Sequence, residues 1–499
     1  MDRPRQGFDI ALSQLSGGSI MAGDICDQSA ADLGRRLAAA QLTSVEITQA
    51  CLRRVSAING QVNAICTLNP EALAEAAASD ERRRTGVALG PLDGVPFVAK
   101  DNLDTRGLRT TFGSELMADY VPAEDCVAVE RLRRAGAVLL GKANTPEFAH
   151  DIRTDNLLFG PTRNPVDLKR TAGGSSGGTA AAVAAGLVPI GLGTDLGGSI
   201  RIPAAMCGIV GLRPSPGRVP VYPTEFGWDL MVEHVHGPIA RSVEDLGLML
   251  AAMAGPDERD PSSLPTPATD YAAAGRIGNG VAGRRIAYCH DFDGLLPIDR
   301  EVGEICRAAA RGMAALGCAV EDACFDASDL MKIVAGTRGL GMVGRYAHRV
   351  EAARGKMTPH LLSQIDDAMK IDLRVVTEAE RLRTRYWHRV RQMFERFDYI
   401  VTPAIGLPAF LLDEPVPTEV AGRTVAKYDV YRFTYAFSVV GLPVVAVPCG
   451  FTREGLPVGL QIAARRLHDE SALEIAAAFV AANPEFVVRP SALLPAAPQ

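Results

Sequence analysis

The sequence predicts an α/β protein whose β-sheet has mixed or parallel strand order. Short apolar runs bounded by glycine and proline alternate along the chain with segments of helical periodicity, which is the pattern of such sheets. The composition, 47% hydrophobic and 22% charged, is ordinary for a soluble globular enzyme and supplies ample material for a core. The 499 residues suffice for two to four domains or for one large α/β unit.

The chain to about residue 70 has helical periodicity. The segment TSVEITQACLRRVSAIN begins with Thr43 and Glu46, which have the S/T-x-x-E spacing of a capping box. From Gly90 onward the pattern changes to that of strands. GPLDGVPFVAKDN predicts a strand, and AVERLRRAGAVLLGKAN predicts a helix, a turn and a buried strand.

Two further strands are predicted by RIAYCHDFDG and FDYIVTPA. The arginine-rich residues 381–397 carry apolar side chains at roughly helical spacing, which predicts an amphipathic surface helix rather than a nucleic-acid patch. The polar, proline-rich residues 255–267 predict a linker or an excursion from the fold.

Charge and hydropathy exclude several classes of partner. The net charge of −6 argues against nucleic acid and against anionic membranes. The sequence contains no membrane-spanning run of 18 apolar residues, and its polar start lacks the apolar region of a secretory signal. The ten cysteines form no C-x-x-C pair, so we expect free thiols in a cytoplasmic protein.

Residues 173–203 are rich in glycine, which is common in phosphate-binding loops. The chain matches neither the P-loop pattern nor the dinucleotide-binding pattern, in this stretch or at its other glycines. Lys142 and Lys356 each follow a glycine, but neither is followed by the serine or threonine of a P-loop. The dinucleotide pattern that begins at Gly191 fails because Leu196 occupies its third glycine position. We therefore expect no nucleotide cofactor.

The same stretch also matches the nucleophile elbow of α/β-hydrolases. Ser175 and Ser176 both satisfy G-x-S-x-G. An elbow requires a downstream histidine as base, and His388 and His468 are candidates. The pattern is short, and overlapping matches are common in a glycine run.

A histidine-free arrangement is the second possibility. Gly197 and Gly198 allow backbone N–H groups to point toward one oxyanion, and Ser199 follows directly. Lys100 closes an apolar strand, where it either extends to water or stays buried as a neutral base. In the buried case Ser175 is able to bridge Lys100 and Ser199. The oppositely charged Asp195 and Arg201 flank this loop, and we expect their ion pair to stabilise it.

These residues carry a resemblance to the amidase signature family of serine hydrolases. The family block from G-G-S-S-G-G to D-x-G-G-S-I-R-x-P stands complete in residues 173–203, and the resemblance covers roughly residues 28–480. It implies an α/β/α fold with a large mixed central β-sheet covered by helices. It further implies a catalytic domain of residues 28–490 after an extension of residues 1–27, with a helical part at about 28–75 and the signature core at about 90–245.

The resemblance also implies a role for each site residue. Ser199 is the nucleophile, Ser175 is the bridging serine held by a cis peptide bond to Gly174, and Lys100 is the terminal base and acid. The expected oxyanion hole consists of the backbone N–H groups of Leu196, Gly197, Gly198 and Ser199. Three further side chains are expected to support the site without touching the substrate, namely Ser176, Asp195 and Arg201.

The family hydrolyses amides broadly, so the resemblance implies an amidase without a cofactor or metal. One branch consists of glutaminase subunits of tRNA-dependent amidotransferases, whose acid stands ten positions before the glycine of G-L-P. Tyr431 stands there in this chain, and Asp429 is two residues away. A small aryl or apolar amide is therefore the expected substrate. The alternatives are a carbamate (urethane) or aryl-ester hydrolase and the glutaminase subunit.

Aromatic residues are the candidates for a substrate pocket. Five of them stand at 428, 431, 433, 435 and 437, and Phe226 and Trp228 lie in another loop. The alternation of 431, 433, 435 and 437 equally predicts one packed face of a strand. His150 and Asp151 either touch the leaving group or are solvated.

A metal site is not expected. His234 and His236 are two residues apart beside Glu233, and a loop or interface role is more typical of that pair than metal binding. The expected partner is a small amide or carbamate, with no nucleic acid and no membrane, and a homodimer stays open.

Overall fold

A computed structural model describes residues 22–223, 234–266, 269–276, 280–348, 350–426 and 431–493 of the chain. Its centre is an eleven-stranded sheet, and a separate two-stranded sheet pairs β10 with β11. The strands are β1 Ile65–Leu68, β2 Pro96–Lys100, β3 Val138–Ala143, β4 Ile190–Asp195, β5 Val210–Arg213, β6 Val235–Ala240, β7 Arg285–Tyr288, β8 Ala319–Asp322, β9 Tyr399–Pro403, β10 Glu419–Val420, β11 Arg423–Thr424, β12 Val444–Phe451 and β13 Pro457–Ala463.

The large sheet is mixed, as predicted. Its strand order is β1-β3-β2-β4-β6-β5-β12-β13-β9-β7-β8. Strand β2 is parallel to both β3 and β4, and β7 is parallel to β8 and β9. The remaining neighbours run antiparallel.

Helices cover the sheet, in agreement with the predicted α/β fold class. They are α1 Ala22–Asp27, α2 Ala30–Ala38, α3 Ser44–Val62, α4 Ala72–Arg84, α5 Val127–Arg134, α6 Gly177–Ala184, α7 Arg201–Cys207, α8 Val243–Met253, α9 Tyr271–Ala274, α10 Arg300–Gly312, α11 Leu330–Tyr346, α12 Val350–Ala353, α13 Pro359–Ala368, α14 Leu373–Arg396, α15 Arg432–Ser438 and α16 Asp469–Ala482. None of those helices combines the length and hydrophobicity that crossing a lipid bilayer requires.

Local sequence signals account for several of these elements. The capping box that opens α3 is formed as predicted: the Thr43 side chain accepts the N–H of Glu46, and the Glu46 carboxylate accepts the N–H of Thr43. The arginine-rich helix is also confirmed. It is α14, which begins after the N-cap Asp372 and buries one apolar stripe, while most of its arginines are exposed.

Strand β2 places the site because its side chains alternate between two cores. Phe97 and Ala99 pack into the core on one face of the sheet, and Val98 packs into the core on the other. Lys100 therefore shares the face of Val98, on which α6 packs. Helix α6 begins two residues after Ser175.

The N-terminal part departs from the predicted run of helices. The segment contains β1, whose residue Ile65 pairs with Ala143 at the edge of the large sheet. Helix α1 lies within the predicted extension, yet it buries Ile25 and Cys26 in the core. A four-residue strand is too short for its periodicity to be visible between two helices.

Residues 255–266 form an excursion, one of the two predicted possibilities, because Leu264 donates its N–H to the carbonyl of Gly217 and the buried Asp260 carboxylate accepts the N–H of Val221. One other expectation needs correction. Not all thiols are free: Cys289 and Cys324 form a disulfide, while the other eight cysteines are unpaired. Tertiary folding brings these two residues together across 35 positions of sequence, which no local motif signals.

Candidate active site

Lys100 is fully buried at the end of β2, so of the two predicted possibilities the buried side chain is found and not the one that extends to water. Its Nζ lies 2.6 Å from Ser175 Oγ and 2.9 Å from Thr194 Oγ1. Burial lowers the pKa of this amine well below its ordinary value, and the nearby Asp195 carboxylate only partly opposes that effect. The neutral amine is thus favoured, which is the form able to accept a proton.

Ser175 is held by backbone contacts just before α6. The peptide bond between Gly174 and Ser175 is cis, as the resemblance implies. Thr145 Oγ1 donates to the carbonyl of Ser175 at 3.1 Å. A side chain at Gly174 would collide with the backbone of Asp151 and Ile152, so the close approach of these segments requires glycine.

Ser176 supports the lysine through Thr194 rather than by direct contact. Its Oγ donates to the carbonyl of Thr194 at 3.2 Å and accepts the Thr194 N–H at 3.3 Å. The Thr194 hydroxyl in turn contacts Lys100 and receives a hydrogen bond from Asn102 at 3.1 Å. Sequence reasoning missed Thr194 and Asn102, because the contacts depend on the pairing of neighbouring strands.

Ser199 lies half-buried on the loop between β4 and α7, and Ser175 lines the same cavity. The Ser199 carbonyl accepts the N–H of Ser176 at 3.0 Å, which fixes the two serine segments against each other. Leu196 and Gly197 border the cavity beside Ser199. The N–H of Gly198 instead donates to Asp195 Oδ1 at 2.9 Å, so this member of the expected oxyanion hole is engaged within the loop.

Asp195 and Arg201 form a fully buried ion pair that braces this loop. Arg201 Nε and Nη2 donate to the carboxylate at 3.0 and 2.9 Å, and Arg213 contributes a third contact at 3.3 Å. Burial alone would raise the pKa of Asp195, but the two guanidinium groups hold it below its usual range. The Asp195 carboxylate and the two guanidinium groups thus hold the loop in place by charge-assisted hydrogen bonds.

The cavity has a volume of about 400 Å³, and one wall is formed by aromatic residues. The aromatic residues at 431, 433, 435 and 437, for which a packed strand face was one of two predictions, lie in helix α15 and at its N-cap, Tyr431. Tyr431 and Tyr435 are one helical turn apart and both border the cavity, while Phe433 and Phe437 belong to the core. Other sequence candidates, namely Phe226, Trp228, Glu233, Tyr428 and Asp429, lie outside the described residues.

A second wall comes from α11, which sequence reasoning did not connect with the site. Arg338 and Tyr346 border the cavity and contact the two ring nitrogens of His150, each at 3.0 Å. Since a guanidinium only donates, Nδ1 of His150 accepts and its Nε2–H donates to Tyr346. Burial and then Arg338 lower the pKa of His150 well below its usual value, so its imidazole is neutral.

His234 and His236 both border the cavity; His236 lies in β6 rather than in the expected loop, and His234 immediately precedes that strand. His236 pairs with Thr194 across the sheet, and burial lowers its pKa to about 4. The two imidazole rings are 5.5 Å apart. Within the described ranges, no group of three or more His, Cys, Asp or Glu side chains is arranged to hold a metal ion.

The histidines needed by the nucleophile-elbow hypothesis lie elsewhere. His388 is exposed on α14. His468 is exposed and pairs with Glu470 at 2.9 Å. Neither residue borders the cavity that contains Ser175 and Ser199.

Comparisons with known proteins agree with this geometry. The family model described as Amidase matches residues 46–473. An acylamidase of Rhodococcus erythropolis is 37% identical over 463 residues, which cover 91% of this chain and 95% of that protein. One subunit of the glutamyl-tRNA(Gln) amidotransferase of Moorella thermoacetica is 37% identical over 474 residues, covering 88% and 93%.

A solved structure is similar over nearly the whole chain. It is a bacterial aryl acylamidase of the amidase signature enzymes family, with a TM-score of 0.86 and 29% sequence identity. The superposition covers 93% of this chain and 98% of that one.

Proposed function

This chain belongs to the amidase family and is an amide-hydrolysing enzyme, and we propose that it cleaves small aryl or apolar carboxylic amides through an acyl-enzyme on Ser199. One observation carries the proposal: the buried Lys100 amine lies 2.6 Å from Ser175 Oγ, and Ser175 shares the cavity with Ser199. A neutral base, a relay hydroxyl and a second serine are thereby brought to one site.

The proposed reaction begins with attack of Ser199 Oγ on the amide carbonyl carbon. The proton of Ser199 passes to Ser175, and the proton of Ser175 passes to Lys100. Backbone N–H groups of the Leu196–Ser199 loop stabilise the resulting oxyanion. When the C–N bond breaks, Lys100 returns a proton through Ser175 to the leaving nitrogen, and the amine departs.

Deacylation uses the same groups. A water molecule attacks the ester carbonyl of the Ser199 acyl-enzyme while its proton passes through Ser175 to Lys100. Collapse of this second intermediate releases the carboxylic acid and returns a proton to Ser199. Lys100 therefore acts in turn as base and acid in both halves of the reaction.

The aryl or apolar preference rests on the cavity wall. Tyr431 and Tyr435 present two rings to the cavity, with centroids 6.4 Å apart. Two of the proteins described above are named acylamidases, one of them an aryl acylamidase. Burial of a substrate ring against these tyrosines contributes roughly 2–3 kcal/mol to binding.

The amidotransferase of Moorella thermoacetica supports a second candidate, a partner-dependent glutaminase. Tyr431 stands where the resemblance requires the acid that holds the glutamine amino group, and this weakens the candidate. A turnover panel of acetanilides, aliphatic amides, phenyl carbamates, phenyl esters and glutamine separates the candidates. Preferred turnover of acetanilides supports our proposal, whereas turnover of glutamine alone contradicts it.

The test of the nucleophile is Ser199→Ala. We expect amide turnover to fall on the order of a millionfold, because the group that bonds to substrate is lost. A fluorophosphonate should label the wild type at Ser199, as shown by peptide mass spectrometry. Ser176→Ala is the matched control and should retain labelling, since its hydroxyl only supports Thr194. Labelling at Ser176 in the wild type would instead support the nucleophile elbow.

A further inference from the structure

The peptide group that joins Gly197 to Gly198 is held at both of its polar ends. Its carbonyl oxygen accepts a hydrogen bond from Thr434 Oγ1 at 2.6 Å. Its N–H donates to Asp195 Oδ1 at 2.9 Å. Because a peptide group is planar, two such bonds fix its orientation.

The two bonds are joined through one buried arginine. Arg201 donates to both oxygens of Asp195, and its Nη1 donates to the backbone carbonyl of Thr434 at 2.8 Å. Thr434 and Arg201 are both fully buried. A closed circuit of hydrogen bonds thus runs from the Gly197 carbonyl through Thr434, Arg201 and Asp195 to the N–H of Gly198.

The fit between the loop and α15 is close. Gly198 has φ of +121°, and an added Cβ would collide with the side chain of Thr434. An added Cβ at Gly197 would overlap the ring of Tyr435. Thr434 therefore contacts the loop by packing as well as by its hydroxyl, and glycine is required at both positions.

The Thr434 hydroxyl has one hydrogen to donate. Its second neighbour is the carbonyl of Tyr431, at 2.9 Å within the same helical turn. The shorter distance to the Gly197 carbonyl favours donation to the loop. Without this donor the carbonyl would be buried with one partner fewer, and the peptide group would be held only by its N–H bond to Asp195.

We infer that Thr434 is a positioning residue, which orients the Leu196–Ser199 backbone for oxyanion stabilisation although it does not touch the reacting atoms. The inference rests on the proposed Ser199 acyl-enzyme. Leu196 and Gly197 border the cavity, and fixing the 197–198 peptide restricts the backbone that carries their N–H groups. The same helix carries Tyr431 and Tyr435, so the binding wall and the oxyanion loop are one packed unit.

The experiment compares hydroxyl-free and hydroxyl-retaining variants. Thr434→Val and Thr434→Ala remove the donor, and Thr434→Ser keeps it. Thr337→Val is the matched control, because Thr337 is a buried helical threonine whose hydroxyl donates to a backbone carbonyl, that of Ile333, at 3.1 Å. The readouts are the rate of fluorophosphonate labelling at Ser199, kcat and KM for an acetanilide per labelled site, and the melting temperature.

We expect Thr434→Val and Thr434→Ala to slow labelling and to lower kcat by about tenfold to a hundredfold, with KM changed less than about threefold. Thr434→Ser should recover most of the rate, and Thr337→Val should keep it. Normalising to labelled sites keeps the comparison valid for a variant that folds in part. Rates of the hydroxyl-free variants equal to those of Thr337→Val would overturn the inference. Failure of the wild type to be labelled at Ser199 would instead overturn the proposed function.

Discussion

Two buried lysines of neighbouring strands have different hydrogen-bonding surroundings. The Nζ of Lys142 contacts three acceptors, namely the carbonyl of Leu103 and the hydroxyls of Thr105 and Thr110. Three acceptors match the three N–H donors of an ammonium group. Within the part of the chain that the structure describes, Lys100 contacts only two hydroxyls, each of which is able to donate as well as accept. Lys142 therefore suits a structural charge, and Lys100 suits a group that gains and loses a proton.

This difference predicts the pH dependence of the reaction. Burial lowers the pKa of Lys100, so the neutral amine persists to a pH far below that of an ordinary lysine. Protonation removes the base, and kcat/KM should therefore fall as pH decreases through the pKa of Lys100 and stay high above it. The measurement is a pH profile of kcat/KM for an acetanilide.

The fall of kcat/KM at low pH forms the acidic limb of the profile. Two variants identify the group whose protonation causes it. Lys100→Met should lose on the order of 10⁴-fold to 10⁶-fold at every pH, because base and nucleophile act as a unit. His236→Gln should keep the limb at the same pH. A limb that moves or disappears in His236→Gln would mean that the titrating group is the histidine.

Residue-level reasoning from sequence identified the side chains of the proposed triad but not their neighbours. Lys100, Ser175 and Ser199 stand in motifs that are visible in the chain. Thr194 and Asn102 carry no such signal, because a lone threonine in a strand or an asparagine just after one is common. Their positions become informative only when pairing and packing bring them to the cavity.

At the scale of elements, α15 shows why the spacing of its aromatic residues suggested a strand where the chain forms a helix. Positions four apart lie on one face of a strand and also about one turn apart on a helix. The aromatic residues at 431, 433, 435 and 437 therefore fit both patterns, and the run is too short to choose between them. In the helix the four rings separate into a cavity pair and a core pair, whereas a strand would place all four together.

The cavity pair predicts substrate selectivity. Tyr431→Ala should lower kcat/KM for an acetanilide by about tenfold to a hundredfold and leave acetamide nearly unchanged, because only the aryl substrate loses a buried ring contact. Tyr431→Asp should not by itself create efficient glutamine hydrolysis. Steady-state kinetics on the three substrates check both statements. Equal losses for acetanilide and acetamide would show that Tyr431 acts only in packing.

At the scale of the whole molecule, hydrogen bonds from Arg241 connect the start of the described chain to the centre of the fold. This buried side chain donates to the carbonyls of Cys26 and Gln28 at 3.0 and 2.6 Å. It also donates to the carbonyls of Val183 and Val188, at 2.7 and 3.2 Å. One cation thus joins the N-terminal helices to the segment around α6.

Arg241→Met should lower the free energy of unfolding by about 3–5 kcal/mol, because four buried carbonyls lose a charged donor. Arg300→Met is the control, since Arg300 is exposed and forms one ion pair among the described residues, with Glu304 at 2.9 Å, and it should change stability by less than about 0.5 kcal/mol. Urea denaturation followed by circular dichroism measures both. A change for Arg241→Met as small as that of the control would contradict this role.

The α/β class was predictable from the alternation of strands and helices, which is a local property, and the mixed order of the sheet was predictable only from the family resemblance. The far wall of the cavity was not. Arg338 and Tyr346 stand more than a hundred residues beyond Ser199 and carry no motif, so only the packing of α11 against the turn at His150 brings them to the site.

The division of the cavity between two stretches of chain has a consequence for protein engineering. The residues proposed for bond making and breaking all lie between Lys100 and Arg201, whereas Arg338, Tyr346, Tyr431 and Tyr435 contribute walls from later in the chain. Libraries that recombine α11 among homologues, and that vary Tyr431 and Tyr435, are therefore able to explore new substrate ranges while the reacting groups stay intact. Thr434 on α15 and Arg201 on α7 limit such exchanges, since the two residues contact each other and must be transferred or retained together.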